Sequence, residues 1–309
     1  MNHNGRLLAD LYTECHNAEM LRLLLDYGAD PSALDAHRVP LLCRPSNHDD
    51  ESIVRLLLER GANVHWAHAD GCPLTWWSVS QGHCEITDVL LSHGADANWQ
   101  QGTQSLLRIA VDEIDVCMMD ILLRHGANPN MKDEHELPLI VNAVQKNLED
   151  ITATLLHSGA DVNAKDAHGI PLVAQPIIYS LHAAHLLNII LSHHPDVSWT
   201  DGNRDSLAIL AIQARDAEIL RLLMDAGVDM TLRHFVGWSA LMTAVRLSYH
   251  QGAQMLIEAG MLEHEDPYPL LEEMQERDDV LMTEMLMNAG VHERLMREEA
   301  EVAFYSTIP

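Results

Sequence analysis

An apolar run closed by Gly-Ala-Asp, or a near variant of it, returns along the chain at almost constant spacing. Clear copies are L-L-L-D-Y-G-A-D (Leu23 to Asp30), L-L-L-E-R-G-A-N (Leu56 to Asn63), L-L-S-H-G-A-D (Leu90 to Asp96), L-L-R-H-G-A-N (Leu122 to Asn128), L-L-H-S-G-A-D (Leu155 to Asp161) and L-L-M-D-A-G-V-D (Leu222 to Asp229). Weaker copies run from Ile190 to Asp196, Leu256 to Gly260 and Leu286 to Gly290. The closing glycines stand at 28, 61, 94, 126, 159, 227, 260 and 290, with His194 in the place of the missing one, so the intervals are 33, 33, 32, 33, 35, 33, 33 and 30. A fixed period of this length restricts the chain to architectures in which small similar units stack on one another.

A second mark keeps the same phase. Pro40, Pro73, Ser105, Pro138, Ser206, Ser239 and Pro269 each precede the closing residue by 21 positions, and Pro171 by 23. Pro is accepted in the first helical turn and Ser caps it, so each mark opens a short helix. The spacing predicts helices over Leu106 to Val111 and Leu139 to Gln145. A second helix then carries apolar residues at helical spacing, as in Ile53, Val54, Leu56, Leu57 and Leu58. The glycine ends it with the left-handed conformation that a C-terminal cap requires. A polar turn with Asn or Asp leads onward. Nine such units predict an all-α solenoid of about eighteen helices with a concave face. One domain is expected over 1–309, with capping units at about 1–33 and 262–309 and regular units between. Leu57, Leu90, Leu122, Leu155 and Leu222 are expected in the seam between units.

These features resemble the ankyrin repeat family, whose pattern joins D-x-x-G-x-T-P-L-H to a later G-H-x-E-I and G-A-D-V-N. The best matches are D-A-H-G-I-P (Asp166 to Pro171), Q-G-H-C-E-I (Gln81 to Ile86) and H-S-G-A-D-V-N-A-K-D (His157 to Asp166). The T-P-L-H start is nowhere intact: its Thr is Pro or Ser, and its His is replaced by Cys43, Trp76, Arg108, Val141, Ala174, Ile209 or Met242. In ankyrins that Thr and His tie neighbouring turns, so their loss implies a stack held mainly by apolar burial. Pro45 and Pro176 fall inside first helices, where Pro costs about 3 kcal/mol in a regular interior, so both helices are expected to be short or distorted. The two-residue insertion around Pro176 marks that unit as a candidate irregular joint.

The resemblance implies a scaffold that binds another protein through its turn tips and the exposed face of the first helices. Carried onto this chain, those positions are His37, His48, Asp70, Gln81, Gln101, Asp112, Glu113, Glu134, His135, Lys146, His168, Tyr179, Asn203, Phe235, Trp238 and Arg246. Charge narrows the partner. The chain holds 46 Asp and Glu against 19 Lys and Arg, a formal charge of −27. Such a field repels nucleic acid and anionic membranes and favours a basic protein partner.

Other chemistry finds little support in the sequence. No G-x-S-x-G, P-loop, G-x-G-x-x-G or H-E-x-x-H occurs, so no enzymatic activity and no cofactor are expected. No run of apolar residues reaches a membrane-spanning length. Five cysteines without a C-x-x-C pair fit free thiols in the cytosol or nucleus, in a monomeric protein. Twenty histidines include His182 with His185, and His93 with His125 in adjacent units. Helices about 8–10 Å apart hold the latter pair too far apart for one metal ion, and no metal site is expected. Trp66, Trp99 and Trp199 share a turn position, and Trp76 and Trp77 lie nearby. They either fill space left by the missing histidines or form an aromatic binding surface. Asn163 resembles the asparagine hydroxylated in some ankyrin repeats, but the favoured reading is a turn-capping Asn. The alternative function is a divergent ankyrin fold with a small-molecule pocket or a His/acid active site, which would show as groups converging on one cavity.

Overall fold

The computed structural model describes residues 18–34, 39–43, 50–179 and 184–297. The expectations placed on His37, Pro45, His48 and His182 lie outside the described residues. The described helices begin with α1 Ala18–Asp26 and α2 Glu51–Glu59, each preceding a closing glycine, and then follow in pairs: α3 Leu74–Ser80, α4 Cys84–Ser92, α5 Leu106–Asp112, α6 Val116–Arg124, α7 Leu139–Gln145 and α8 Glu149–His157. They continue with α9 Gln175–Ile178, α10 Ala184–Leu191, α11 Leu207–Ala214, α12 Ala217–Asp225, α13 Ala240–Arg246, α14 His250–Glu258, α15 Pro267–Arg277 and α16 Val280–Asn288. The chain divides into two compact units, Met1–Ala143 with Asp150–Asp161, and Val144–Glu149 with Val162–Pro309.

Both capping signals act as expected. Ser105, Ser206 and Ser239 accept hydrogen bonds on Oγ from the amides of Arg108, Ile209 and Met242, while Pro73 opens α3 without one. The second helices are mostly capped by aspartate: Asp50, Asp115, Asp216 and Asp279 accept from the amides three residues on. Each closing glycine has positive φ, as at Gly126 (+85°) and Gly159 (+89°), and His194 adopts +54° in the vacant position. The Asn or Asp that follows turns the chain: Asp30, Asn63, Asp96, Asn128, Asp196 and Asp229 each accept from the amide two residues later. The chain then narrows into a hairpin. Leu34, Ala67, Lys132, Lys165 and Thr200 form antiparallel bridges to the Pro or Ser mark six residues on, and Gln100–Gln101 pairs with Gln104–Ser105 as strands β1 and β2.

A nine-residue helix is marginal in water alone, so these helices depend on packing. In the first unit α2, α4 and α6 line up side by side, and α3 packs on α5. In the second, α9, α11, α13 and α15 form one row and α10, α12, α14 and α16 the other. Leu57, Leu90, Leu122 and Leu155 are fully buried in these seams. Leu222 is not: it is half-buried, and Leu223 takes the buried position. In that unit the Leu-Leu pair sits one residue further from the glycine than in the L-L-x-x-G copies, and phase to the glycine decides which leucine faces inward. Two further departures concern helix starts. Helix α9 has four residues where α3, α5, α7, α11 and α13 have seven or eight, with Pro176 in its first turn. Helix α15 opens at Pro267 under an Asp266 cap, two residues before the Pro269 mark, and a 3-10 turn over Met261–His264 replaces the hairpin.

Candidate interaction surface

A buried or half-buried acceptor closes four of the turn tips. Asp133 Oδ1 accepts from the amides of His135 and Leu137, and its Oδ2 accepts from Asn142 Nδ2 at 2.6 Å. Burial opposes ionisation of Asp133, but these hydrogen bonds outweigh it and hold the carboxyl below its usual range. Asp166 repeats the arrangement with the amides of His168 and Ile170, and Tyr179 donates its hydroxyl to Oδ2 at 2.5 Å. That bond, with burial, pushes the Tyr179 phenol up to about 12. Asp201 accepts from Asn203 and Asp205, and Asp205 in turn from Gln213. His234 takes the same position in the next tip, its Nδ1 accepting from the Val236 amide at 2.8 Å.

Neighbouring repeats are stitched by asparagine. Asn98 donates Nδ2 to the Gly126 carbonyl at 2.8 Å and accepts the Asn128 amide at 2.7 Å. Asn130 does the same toward Gly159 and Asp161 at 3.5 and 2.8 Å. Asn163 accepts the Asp196 amide at 2.8 Å. Beside the apolar burial expected to hold most of the stack, a polar ladder survives the loss of the T-P-L-H hydrogen bonds.

The family model for ankyrin repeats (three copies) matches residues 76–166 and 178–266, more than half of the chain. The chain belongs to the ankyrin repeat family. Among solved structures, an ankyrin repeat domain from Acinetobacter baumannii AYE is similar at 19% identity and a TM-score of 0.50, covering 62% of this chain and all of that one. The ankyrin repeat domain of Bcl-3, described as a unique member of the IkappaB protein family, shares 25% identity at a TM-score of 0.43, covering 54% of this chain and 86% of that one. No curated protein sequence matches the chain. Ankyrin repeats generally mediate protein–protein interaction and are typically not enzymes.

In the first ankyrin unit two of the expected surface residues, Asp112 and Glu134, meet at one base. Arg108 on α5 is mostly buried, and its guanidinium reaches Asp112 Oδ2 at 3.2 Å and Glu134 Oε2 at 2.7 Å. Both carboxylates are half-exposed. Glu134 first, then Asp112, raises the Arg108 pKa, so the base stays charged. Glu113, the C-cap of α5, and His135 are exposed next in sequence to Asp112 and Glu134, and Gln81 is exposed as the C-cap of α3. Arg108 was legible only as a substitute for the family histidine. Its role comes from Glu134, 26 residues away. Gln101 bridges two tips, donating to the Asp70 carbonyl at 3.0 Å and lying 3.5 Å from Cys72 Sγ.

In the second unit Lys146, His168, Asn203 and Phe235 are exposed and Tyr179 is just over one-third exposed. Trp238 and Arg246 are half-buried and engage each other. The guanidinium carbon lies 3.8 Å above the indole, and Arg246 also pairs with Glu273, which Arg277 contacts too. His234 packs edge-on to Trp238 at 4.8 Å. This stack presents Phe235 (69% exposed) and Val236 (54%) at the tip, and Phe235 donates its amide to the Asn203 carbonyl. Val236 is the exposed apolar neighbour that sequence reasoning passed over.

The tryptophans of the first unit converge. Trp66, Trp76 and Trp77 line a cavity of about 370 Å³ with Val39, Cys43, Leu74, His68 and Asp70 among its other walls. Among the described residues no group of three or more His, Cys, Asp or Glu is placed to hold a metal ion, and no helix is long and apolar enough to cross a membrane.

Proposed function

We propose that this ankyrin-repeat protein is an adaptor without catalytic activity of its own, and that it binds a basic protein partner across its turn tips and first helices. The carrying observation is the cluster at Arg108. Two half-exposed carboxylates, Asp112 and Glu134, share a single guanidinium, and Glu113 adds a third acid with no base given to it. Their net charge is negative at a surface that the family uses for docking, so a Lys or Arg of the partner gains more there than water does. Phe235 with Val236 supplies the apolar anchor, since a rigidly held exposed aromatic loses little entropy on binding. The cysteines without a C-x-x-C pair and the acidic charge support a monomeric chain in the cytosol or nucleus as part of this proposal.

The test begins with capture of partners from native extract and measures their binding kinetics across a salt series. Attraction between exposed charges is screened over about 8 Å at physiological ionic strength. Association should slow as salt rises while dissociation changes little. Asp112→Asn with Glu113→Gln should lower the association rate. Phe235→Ala should raise the dissociation rate by about 2 kcal/mol or more. Salt-independent association, with neither set of changes felt, overturns the assignment.

A further inference from the structure

The cavity beneath the first described tips has a wall chemistry that the adaptor role leaves unused. Three indoles line it, Trp66 from the tip and Trp76 and Trp77 from the first turn of α3, over a floor that includes buried Cys43 and Leu74. A second ring braces each indole. Trp66 meets His68 edge-on at 6.1 Å, Trp76 meets Trp99 edge-on at 6.5 Å, and Trp77 lies against His83 at 5.3 Å. The volume, about 370 Å³, falls in the lower part of the usual range for ligand pockets, roughly 300–1,000 Å³. One carboxylate, Asp70, stands among the lining residues and is exposed. The Cys72 amide hydrogen bond keeps that carboxyl below its ordinary range, while burial and the nearby carboxylate push the Cys72 thiol up, so the thiol stays neutral.

We infer that this cavity receives the trimethylated side chain of a lysine carried on a basic protein segment. Indole faces present negative electrostatic potential and attract a cation placed over them. A bare ammonium would have to give up strong hydration for walls that offer it few acceptors. Methylation lowers that cost and adds apolar surface that the rings cover. Among the described lining residues Asp70 supplies the counter-charge, and the surplus of 27 negative charges draws a basic segment rather than an acidic one. A neutral ligand of the same shape would fill the space without using Asp70 or the ring faces. The site belongs to the first unit and stands independently of the anchor at Phe235.

The experiment titrates the full chain with one basic peptide in four forms: unmodified lysine, trimethyllysine, a neutral tert-butyl isostere of trimethyllysine, and no lysine. Free choline is a fifth probe, and calorimetry and indole fluorescence are the readouts. The trimethylated peptide should bind about tenfold more tightly than the unmodified one, as one added cation–π contact allows. The neutral isostere should lose most of that gain. Asp70→Asn keeps the acceptor for the Cys72 amide, so the fold persists, and should weaken the trimethylated peptide several-fold. Trp66→Phe should do the same. Equal affinity for lysine and trimethyllysine overturns the assignment, as does equal affinity for the isostere or indifference to both Asp70→Asn and Trp66→Phe. Choline binding as tightly as the peptide overturns the protein source in favour of a small quaternary ammonium ligand.

Discussion

Truncating Asn98 separates the polar ladder from the apolar seam. Asn98→Ala deletes a donor to the Gly126 carbonyl at 2.8 Å and an acceptor for the Asn128 amide at 2.7 Å, both in the next repeat. An intramolecular hydrogen bond contributes about 0.5–1.5 kcal/mol net. Asn98 is exposed, so water replaces both partners and each bond falls at the low end of that range. The expected loss is about 1 kcal/mol. Asn130→Ala should cost less, because its bond to the Gly159 carbonyl is stretched to 3.5 Å while its bond from the Asp161 amide remains short. Since repeats couple mainly through nearest-neighbour interfaces, the loss should be local as well as small. Urea unfolding measures the sum, and amide exchange measures the location. The Asn128 amide should exchange faster in Asn98→Ala and the Asp161 amide faster in Asn130→Ala, each without the other. If neither amide accelerates, the ladder is a consequence of stacking and not a support for it.

Two further outcomes test the core and the electrostatics. Leu122→Ala, at a fully buried seam position of α6, should cost roughly 2–5 kcal/mol, and an unchanged urea midpoint would show that the helical phase is misassigned. Asp279 caps α16 and accepts from His250 at 3.0 Å, and that bond, with the Met282 amide, lowers its carboxyl to about 2. A depressed folded-state pKa stabilises the fold above the ordinary carboxylate range of about 4, and that contribution is lost as pH falls from about 4 to 2. His250→Ala should therefore flatten the fall in stability across this interval, which urea titrations at stepped pH would read, and an unaltered slope refutes the pairing.

Local features of the sequence carried the repeat; non-local ones carried most of the surface. The glycine and Pro/Ser marks were legible because a left-handed cap and a helix first turn each demand particular residues at one position. Phase alone assigns His194 to the vacant glycine position, and its φ of +54° agrees. Leu222 misled because the Leu-Leu pair slipped by one residue against its glycine, and Pro269 because an upstream Asp-Pro offered an earlier start. The asparagine ladder, the Arg108 cluster and the Trp238–Arg246–Glu273 stack were not legible. Their partners stand 26 to 31 residues away in most pairs, and a single sequence gives no means of matching side chains across repeats.

The four closed tips show how this fold tolerates such divergence. Each satisfies the amide two residues on, and the three aspartates also take the amide four residues on; Asp133, Asp166 and Asp201 recruit Asn142, Tyr179 or a second aspartate with Gln213, while His234 accepts with an imidazole nitrogen. The requirement is only an acceptor at the start of the tip, so the neighbouring side chains are released from a common sequence. That release lets one tip expose Phe235 and Val236 while another turns Trp66 and Asp70 toward a cavity. Stability constrains the acceptor and the seam leucines; recognition is written in the residues between them. A substitution such as His234→Asp should accordingly preserve the tip, because a carboxylate oxygen can accept the Val236 amide in the same way, whereas exchange of Phe235 alters only what the tip presents.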